Sequence, residues 1–155
     1  MILEADDEVI IEPAAPEEAP RLVPLYEWLF EPPGSRPRAW DPVRAAVALA
    51  DASASQDADV LVAREGDRAV GLCTVYLDID SVRFGRRVWL EDLVVDPERR
   101  SRGIGKRLLE AAREWARDRG ATHLELDSYE GRVDAHRFYE RERPDSRSVC
   151  FGWEL

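Results

Sequence analysis

Leu93-Val94-Val95-Asp96-Pro97-Glu98-Arg99-Arg100-Ser101-Arg102-Gly103-Ile104-Gly105-Lys106 is the stretch of this 155-residue chain that decides its fold. An apolar strand runs into a turn that carries two glycines, and the turn opens a helix with one apolar stripe. The first amides of a helix have no partner inside it and lie at the positive end of the helix dipole. The stretch therefore predicts a site for a phosphate group.

Two common nucleotide motifs do not fit this stretch. A P-loop needs Ser or Thr after its lysine, and here Arg107 follows Lys106. The dinucleotide fingerprint has three spaced glycines, and this stretch offers only Gly103 and Gly105. We interpret Arg99 and Arg107 as solvated basic residues at a helix start.

The rest of the chain alternates between strand and helix patterns. Periodicity and turn residues predict strands at Val9–Ile11, Asp59–Ala63, Ala69–Leu77, Arg87–Val95, Thr122–Asp127 and Ser148–Leu155. Helices are predicted at Leu22–Phe30, Pro42–Ala52, Ile104–Arg119 and Val133–Arg141. An antiparallel meander followed by a β-α-β crossover predicts an α/β fold in one domain, residues 1–155, whose mixed, mostly antiparallel sheet has helices on both faces.

The composition narrows the class of partner. The net charge of −10 argues against nucleic acid or an anionic membrane, which both attract basic surfaces. The acidic start, Met1–Asp7, lacks the features of a secretory signal, so we expect a cytoplasmic protein. Cys73 and Cys150 lie in apolar runs and are expected to be buried, and with two histidines we expect no metal site.

The stretch from Trp89 to Ala112 resembles the acetyl-CoA motif of the Gcn5-related N-acetyltransferase (GNAT) family. Leu93-x-Val95-x-Pro97 precedes Arg100-x-x-Gly103-x-Gly105, and Leu108-Leu109 follows. The resemblance implies the family fold, in which two neighbouring strands splay apart to form an acetyl-CoA slot. It implies that the pyrophosphate would be held by the amides of Arg102, Gly103, Ile104, Gly105 and Lys106 with help from Arg100, and the pantetheine arm by the main chain of Val94 and Val95.

The resemblance also implies an acid and a base for acetyl transfer to a primary amine. Tyr139, in Ala135-x-x-Phe138-Tyr139, matches the tyrosine that serves as general acid beside the CoA sulfur. Glu91 matches a proposed base of polyamine and amino-sugar acetyltransferases; Asp92, Asp127 and a water relay remain alternatives. On a regular strand Glu91 would share its face with Trp89, Leu93 and Val95.

The acceptor side departs from the family pattern. Arg132 stands where the family often has Asn, and Glu140–Asp145 replaces Lys-x-Gly-Phe after the tyrosine, which implies a rebuilt acceptor wall. Aromatic residues with nearby Glu27, Glu31 and Asp41 form a candidate pocket for a small-molecule or peptide amine; they are Tyr26, Trp28, Phe30 and Trp40. Core packing or a homodimer interface explains the same aromatics equally well, and a non-catalytic acyl-CoA-binding or regulatory module remains the alternative function.

Overall fold

A five-stranded sheet in the order β1-β2-β3-β4-β5 organises the computed structural model, which describes residues 8–155. The strands are β1 Val9–Pro13, β2 Ala58–Glu65, β3 Arg68–Ser81, β4 Gly85–Val95 and β5 His123–Glu125. The first four pair antiparallel, and β5 pairs parallel to β4. The predicted mixed, mostly antiparallel sheet is confirmed. The acidic residues 1–7 lie outside the described part.

Helices cover both faces of this sheet, as predicted. They are α1 Ala19–Leu22, α2 Tyr26–Phe30, α3 Pro42–Ala54, α4 Ile104–Asp118 and α5 Val133–Arg141. One apolar cluster joins α1–α3 to Val60, Val62, Leu72 and Val94. A second joins α4 to Val70, Cys73, Val75, Val88 and Leu90. The alternation of β-strand side chains thus splits the core into two layers around one sheet.

The single helix predicted over Leu22–Phe30 is wrong. The chain instead forms a 3-10 turn at Pro16–Glu18, α1, a second 3-10 turn at Val23–Leu25, and α2. Pro24 has no amide hydrogen and cannot make the bond that would continue α1 into α2. The predicted helix start at Asp41 is confirmed, since its carboxylate accepts the amides of Val43 at 2.9 Å and Arg44 at 3.3 Å.

The last strands differ from the prediction. β5 covers three residues rather than Thr122–Asp127, and its pairing with β4 ends at Trp89 and Glu125. β4 and β5 separate beyond this point, as the predicted splay requires. β4 continues to Val95, and no parallel strand among the described residues pairs with this part of it.

The strand predicted at Ser148–Leu155 is wrong for the single chain. The segment has no regular secondary structure and pairs with no strand in residues 8–155, and its alternating apolar residues are exposed. Cys150 is exposed as a result, whereas Cys73 is buried as expected.

No helix within residues 8–155 is both long and apolar enough to cross a membrane. The cytoplasmic location stays a prediction.

Candidate functional site

The turn between β4 and α4 is anchored by a buried aspartate. Asp96 is 3% exposed, and its carboxylate accepts the Glu98 amide at 3.0 Å. It also contacts Arg68 Nη2 at 3.0 Å and Arg99 Nη1 at 3.1 Å. Its own amide donates to Val70 O at 2.8 Å. These bonds fix the direction in which the chain leaves the sheet.

Arg99 braces the same turn. Its guanidinium forms a two-pronged pair with Glu65, Nε to Oε2 at 2.7 Å and Nη2 to Oε1 at 2.9 Å. This contact raises the pKa of Arg99 and lowers the pKa of Glu65. Our interpretation of Arg99 as a solvated cation is therefore corrected, because its side chain is 15% exposed and ion-paired.

The turn presents unpaired amides at the start of α4. Gly103 caps the helix with φ 79°, and Ser101 has φ 64°, so the chain turns twice through the left-handed region. The first bond of the helix is Arg107 N to Gly103 O at 3.1 Å. None of the amides of residues 100–106 donates to another described residue. The structure places this predicted donor set together.

Gly105 brings α5 against the same helix start. A methyl group placed on it would lie 3.6 Å from Phe138 Cζ and 3.9 Å from Leu93 Cδ2. Phe138 also packs on the core cluster of α4. The absence of a side chain at Gly105 therefore lets the Phe138 ring of α5 pack against the start of α4.

β4 has an open edge beyond the end of its pairing with β5. Val94 is buried against the α1–α3 layer, while Leu93 and Val95 are half-buried against the α4 layer. Their main chain pairs with β3 on one side and has no β5 partner on the other. An extended ligand with amide groups can add to such an edge as a further strand.

Tyr139 is a protonated hydroxyl at neutral pH. Burial raises the pKa of Tyr139 to about 12, and the positive charge of Arg132 opposes the rise. Its ring packs on Phe138 with 5.1 Å between centroids. The side chain can donate a proton, which is what a general acid must do.

A β-bulge in β4 falls at the two candidate bases, Glu91 and Asp92. Val75 pairs with Leu90 and Cys73 with Leu93, so Glu91 and Asp92 together oppose Thr74. The extra residue turns Leu93 and Val95 to the α4 face, which Leu90 also faces. The prediction that Glu91 shares a face with Leu93 and Val95 is wrong for this reason.

The bulge gives the two carboxylates different surroundings. Glu91 is exposed and accepts a hydrogen bond from the Trp89 indole. Asp92 accepts the Tyr26 hydroxyl at 2.7 Å and the Thr74 hydroxyl at 3.3 Å, and its amide donates to Thr74 Oγ1 at 3.1 Å. Burial raises the pKa of Asp92, and that of Tyr26 is raised as well, by burial and the Asp92 charge. Sequence reasoning missed this network, because no local pattern joins α2, β3 and β4.

The rings of Tyr26, Phe30 and Trp40 form an aromatic cluster next to the hydrogen bond between Tyr26 and Asp92. Trp40 stacks on Tyr26 at 5.5 Å and meets Phe30 edge-on at 4.7 Å between ring centroids. A cavity of about 560 Å³ opens next to it, and its lining includes Trp40, Glu27 and Arg36. Arg36 pairs with Glu27 at 2.5 Å and lies 5.9 Å from the centre of the Phe30 ring. The predicted aromatics thus contact the Asp92 network through Tyr26.

Arg132, which precedes α5, contacts the end of α2 and the loop of residues 31–40 that follows it (the acceptor loop). Its Nη2 donates to the Leu29 carbonyl at 2.9 Å, at the end of α2. Gly34 packs on both groups, since a methyl group there would lie 2.5 Å from Arg132 Nη2 and 2.3 Å from Leu29 O. The residue that departs from the family pattern therefore links the two walls of the site.

The comparisons with known proteins agree with this geometry. The model of the Acetyltransferase (GNAT) family matches residues 22–143. The chain therefore belongs to the GNAT family.

Three relatives illustrate the match. An uncharacterized N-acetyltransferase, YhdJ, of Bacillus subtilis (strain 168) is 46% identical over 59 residues, 38% of this chain and 42% of that protein. Streptothricin acetyltransferase of Streptomyces lavendulae is 35% identical over 95 residues, 59% of this chain and 48% of that one. The aminoglycoside N-acetyltransferase AAC(6')-Iy in complex with CoA has TM-score 0.80 and 16% identity over 99% of both chains.

The sequence matches are partial, whereas the structural match is complete. The matched stretches span about half the length of the curated relatives. The likeness to the solved structure extends the family fold over almost the whole chain.

Loss of the Arg132 contact is expected to loosen the acceptor loop. A charged donor to a carbonyl contributes about 1.5–3 kcal/mol, so Arg132→Ala should speed amide exchange in residues 31–40 by about 10- to 100-fold. Hydrogen exchange read by mass spectrometry measures this. Arg137→Ala is the control, because Arg137 lies in α5 and, within residues 8–155, its only ion pair is with the exposed Asp134. Equal exchange in the two variants would contradict the link.

Proposed function

We propose that this chain transfers the acetyl group of acetyl-CoA directly to a primary amine. The observation that carries the proposal is the set of amides at the start of α4 that have no partner among the described residues, together with the open edge of β4. The protonated hydroxyl of Tyr139 supports it. Family membership supports the same activity. A single domain over residues 1–155 is part of the proposal, since both core clusters pack on one sheet.

The residues present fit the pyrophosphate and the pantetheine arm. Amides from Arg102 to Lys106 offer donors without competing partners, and Gly103 leaves open space where a side chain would stand. Arg100 adds a positive charge. The main chain of Val94 and Val95 offers the edge on which an amide-bearing arm can pair. Bound there, acetyl-CoA would supply an activated acetyl group.

Two side chains carry out the proton transfers of the reaction. Glu91 accepts a proton from the acceptor amine, directly or through water, so that the neutral amine is the nucleophile. Tyr139 donates its proton to the departing thiolate. Glu91 is proposed over Asp92 because its carboxylate is exposed at the bulge, whereas that of Asp92 already accepts two hydroxyl groups.

The acceptor we propose is a small amine that is positively charged in solution. The cavity is lined by Trp40 and by Glu27, whose carboxylate would exchange its Arg36 partner for the charged amine. Two of the relatives carry names of acetyltransferases acting on streptothricin and on aminoglycosides. A peptide amine remains within the proposal. A homodimer and the absence of nucleic-acid or membrane partners also remain predictions.

CoA binding should depend on Gly103. Saturation with CoA at about 100 times its Kd should stabilise the protein by about 2.7 kcal/mol, seen as a higher unfolding temperature. Gly103→Glu places a carboxylate at the amides and should abolish this shift. Gly120→Glu is the control, because Gly120 also has positive φ, at 70°, and also has open space around it, but lies at the other end of α4. If neither CoA nor acetyl-CoA raises the unfolding temperature of the wild-type protein, the proposal that this chain uses acetyl-CoA is wrong.

Removal of the Tyr139 hydroxyl should slow turnover without weakening CoA binding. Tyr139→Phe is expected to lower kcat by about 100-fold or more, the range for loss of a general acid. Because the pKa of Tyr139 is about 12, the hydroxyl stays protonated and the loss should be the same from pH 6 to 10. Thiol release against a panel of amines measures it, with exposed Tyr129→Phe as the control. CoA binding without turnover on any amine would favour the regulatory module.

The two carboxylates of the bulge can be separated by mutation. Glu91→Gln should lower kcat/KM by about 100-fold at neutral pH. Asp92→Asn keeps an oxygen for the Tyr26 hydroxyl and should change kcat/KM far less. The opposite ranking would assign the base to Asp92, and full activity in both variants would indicate a water relay.

A further inference from the structure

The turn between β2 and β3 lies at the same end of the sheet as residues 96–103, which lead into α4 (the α4 turn). Glu65 ends β2 and Arg68 begins β3, and these two residues pair across a two-residue turn. Because β3 runs antiparallel to β4, the start of β3 lies beside the end of β4. The Asp96 amide accordingly donates to the Val70 carbonyl at 2.8 Å. The charged ends of the β2–β3 hairpin therefore reach the α4 turn.

Side chains of alternating charge join the two turns. Arg99 pairs with Glu65, and Asp96 pairs with both Arg99 and Arg68. The side chains of Glu65, Arg99 and Asp96 are 24%, 15% and 4% exposed, so salt screens their attraction less than that of exposed pairs. Arg68 is more exposed and adds a weaker contact. The main link between the turns therefore runs from Glu65 through Arg99 to Asp96.

Every nitrogen of the Arg99 side chain is engaged in this link. Nε and Nη2 donate to Glu65, and Nη1 donates to Asp96. The Arg99 amide also donates to the Asp96 carbonyl at 2.9 Å. Arg99 is thus not a free cation for a pyrophosphate. The amides offered to the anion begin three residues later, at Arg102, so a displacement of Arg99 would displace these amides with it.

We propose that Glu65 is a positioning residue for the pyrophosphate of CoA and acts through Arg99 on the amides of residues 102–106. The inference rests on the proposed function, which assigns the pyrophosphate to those amides. A turn that is already held in place loses less conformational freedom when its ligand binds, and the affinity is higher for that reason. The β2–β3 hairpin is thereby part of the donor site, although it lies outside the motif of the α4 turn.

The charge of Glu65 makes the direction of the effect diagnostic. Glu65 and the pyrophosphate are both anionic, so Coulomb's law alone predicts that removal of the Glu65 charge strengthens CoA binding. Positioning predicts the opposite, because a glutamine cannot form the two-pronged pair that holds Arg99. The carboxylate is close enough for its charge to matter: the pKa of Glu65 is lowered by the hydrogen bond from Arg99 and also by the charges of Arg102 and Arg68.

Titration calorimetry of CoA into the full chain tests the proposal. Glu65→Gln should raise the Kd for CoA by about 10-fold, since it removes a hydrogen-bonded charge pair from the turn. Glu18→Gln is the matched control, because Glu18 pairs with Arg64, the neighbour of Glu65 in β2, and the side chains of that pair are 23% and 16% exposed. It should leave the Kd unchanged. The unfolding temperatures of both variants without CoA show whether they lose comparable stability.

A double variant shows whether Glu65 acts through Arg99. Arg99→Gln should also weaken CoA binding, and its combination with Glu65→Gln should lose less affinity than the product of the two single losses. A loss equal to that product would mean that the two residues act separately, which overturns the proposal.

The outcomes separate this inference from the function on which it rests. A wild-type protein that does not bind CoA overturns both. If the wild-type protein binds CoA and Glu65→Gln binds it equally well or more tightly, the positioning role alone is wrong. Equal weakening by Glu18→Gln and Glu65→Gln also overturns that role, because general loss of stability would then explain both.

Discussion

The packing of the apolar stripe of α4 on the sheet is the constraint on which the rest of the structure depends. Leu108 is fully buried, and Leu109, Ala112 and Trp115 lie with it against β2, β3 and β4. Each large side chain of this kind contributes about 1.5–3 kcal/mol through burial. Because the helix cannot rotate or slide without exposing that stripe, its first amides are fixed beside the end of β4. The anion site is therefore a consequence of core packing.

A second consequence of this packing concerns the open edge of β4. α4 connects β4 to β5 as a crossover, so it sets where β5 begins, at His123. Pairing then lasts for three residues before the strands separate. The backbone groups of β4 that β5 leaves unpaired lie at the end of the strand that leads into α4. One helix thus supports both ends of the proposed donor site.

The donor side could be predicted from sequence because its signals are local. The strand, the two glycines and the periodic helix follow one another within about two dozen residues, and the structure keeps that order in space. The bulge at Glu91 and Asp92 was not predictable in this way. It appears only in the register between β3 and β4, where two residues oppose Thr74, and a one-residue offset reverses which face each side chain takes.

The acceptor side depends on contacts between residues far apart in the chain. Tyr26 bonds Asp92 across 66 positions and Arg132 bonds Leu29 across 103, and neither pair leaves a spacing that a sequence pattern could reveal. The walls of this side are short helices interrupted by prolines and a loop, so apolar packing on the sheet and a few side-chain bonds, rather than strand pairing, hold them in place. Such walls can change with few substitutions while the α4 packing stays intact. Conservation of the donor chemistry and variation of the amine are therefore both expected from the same architecture.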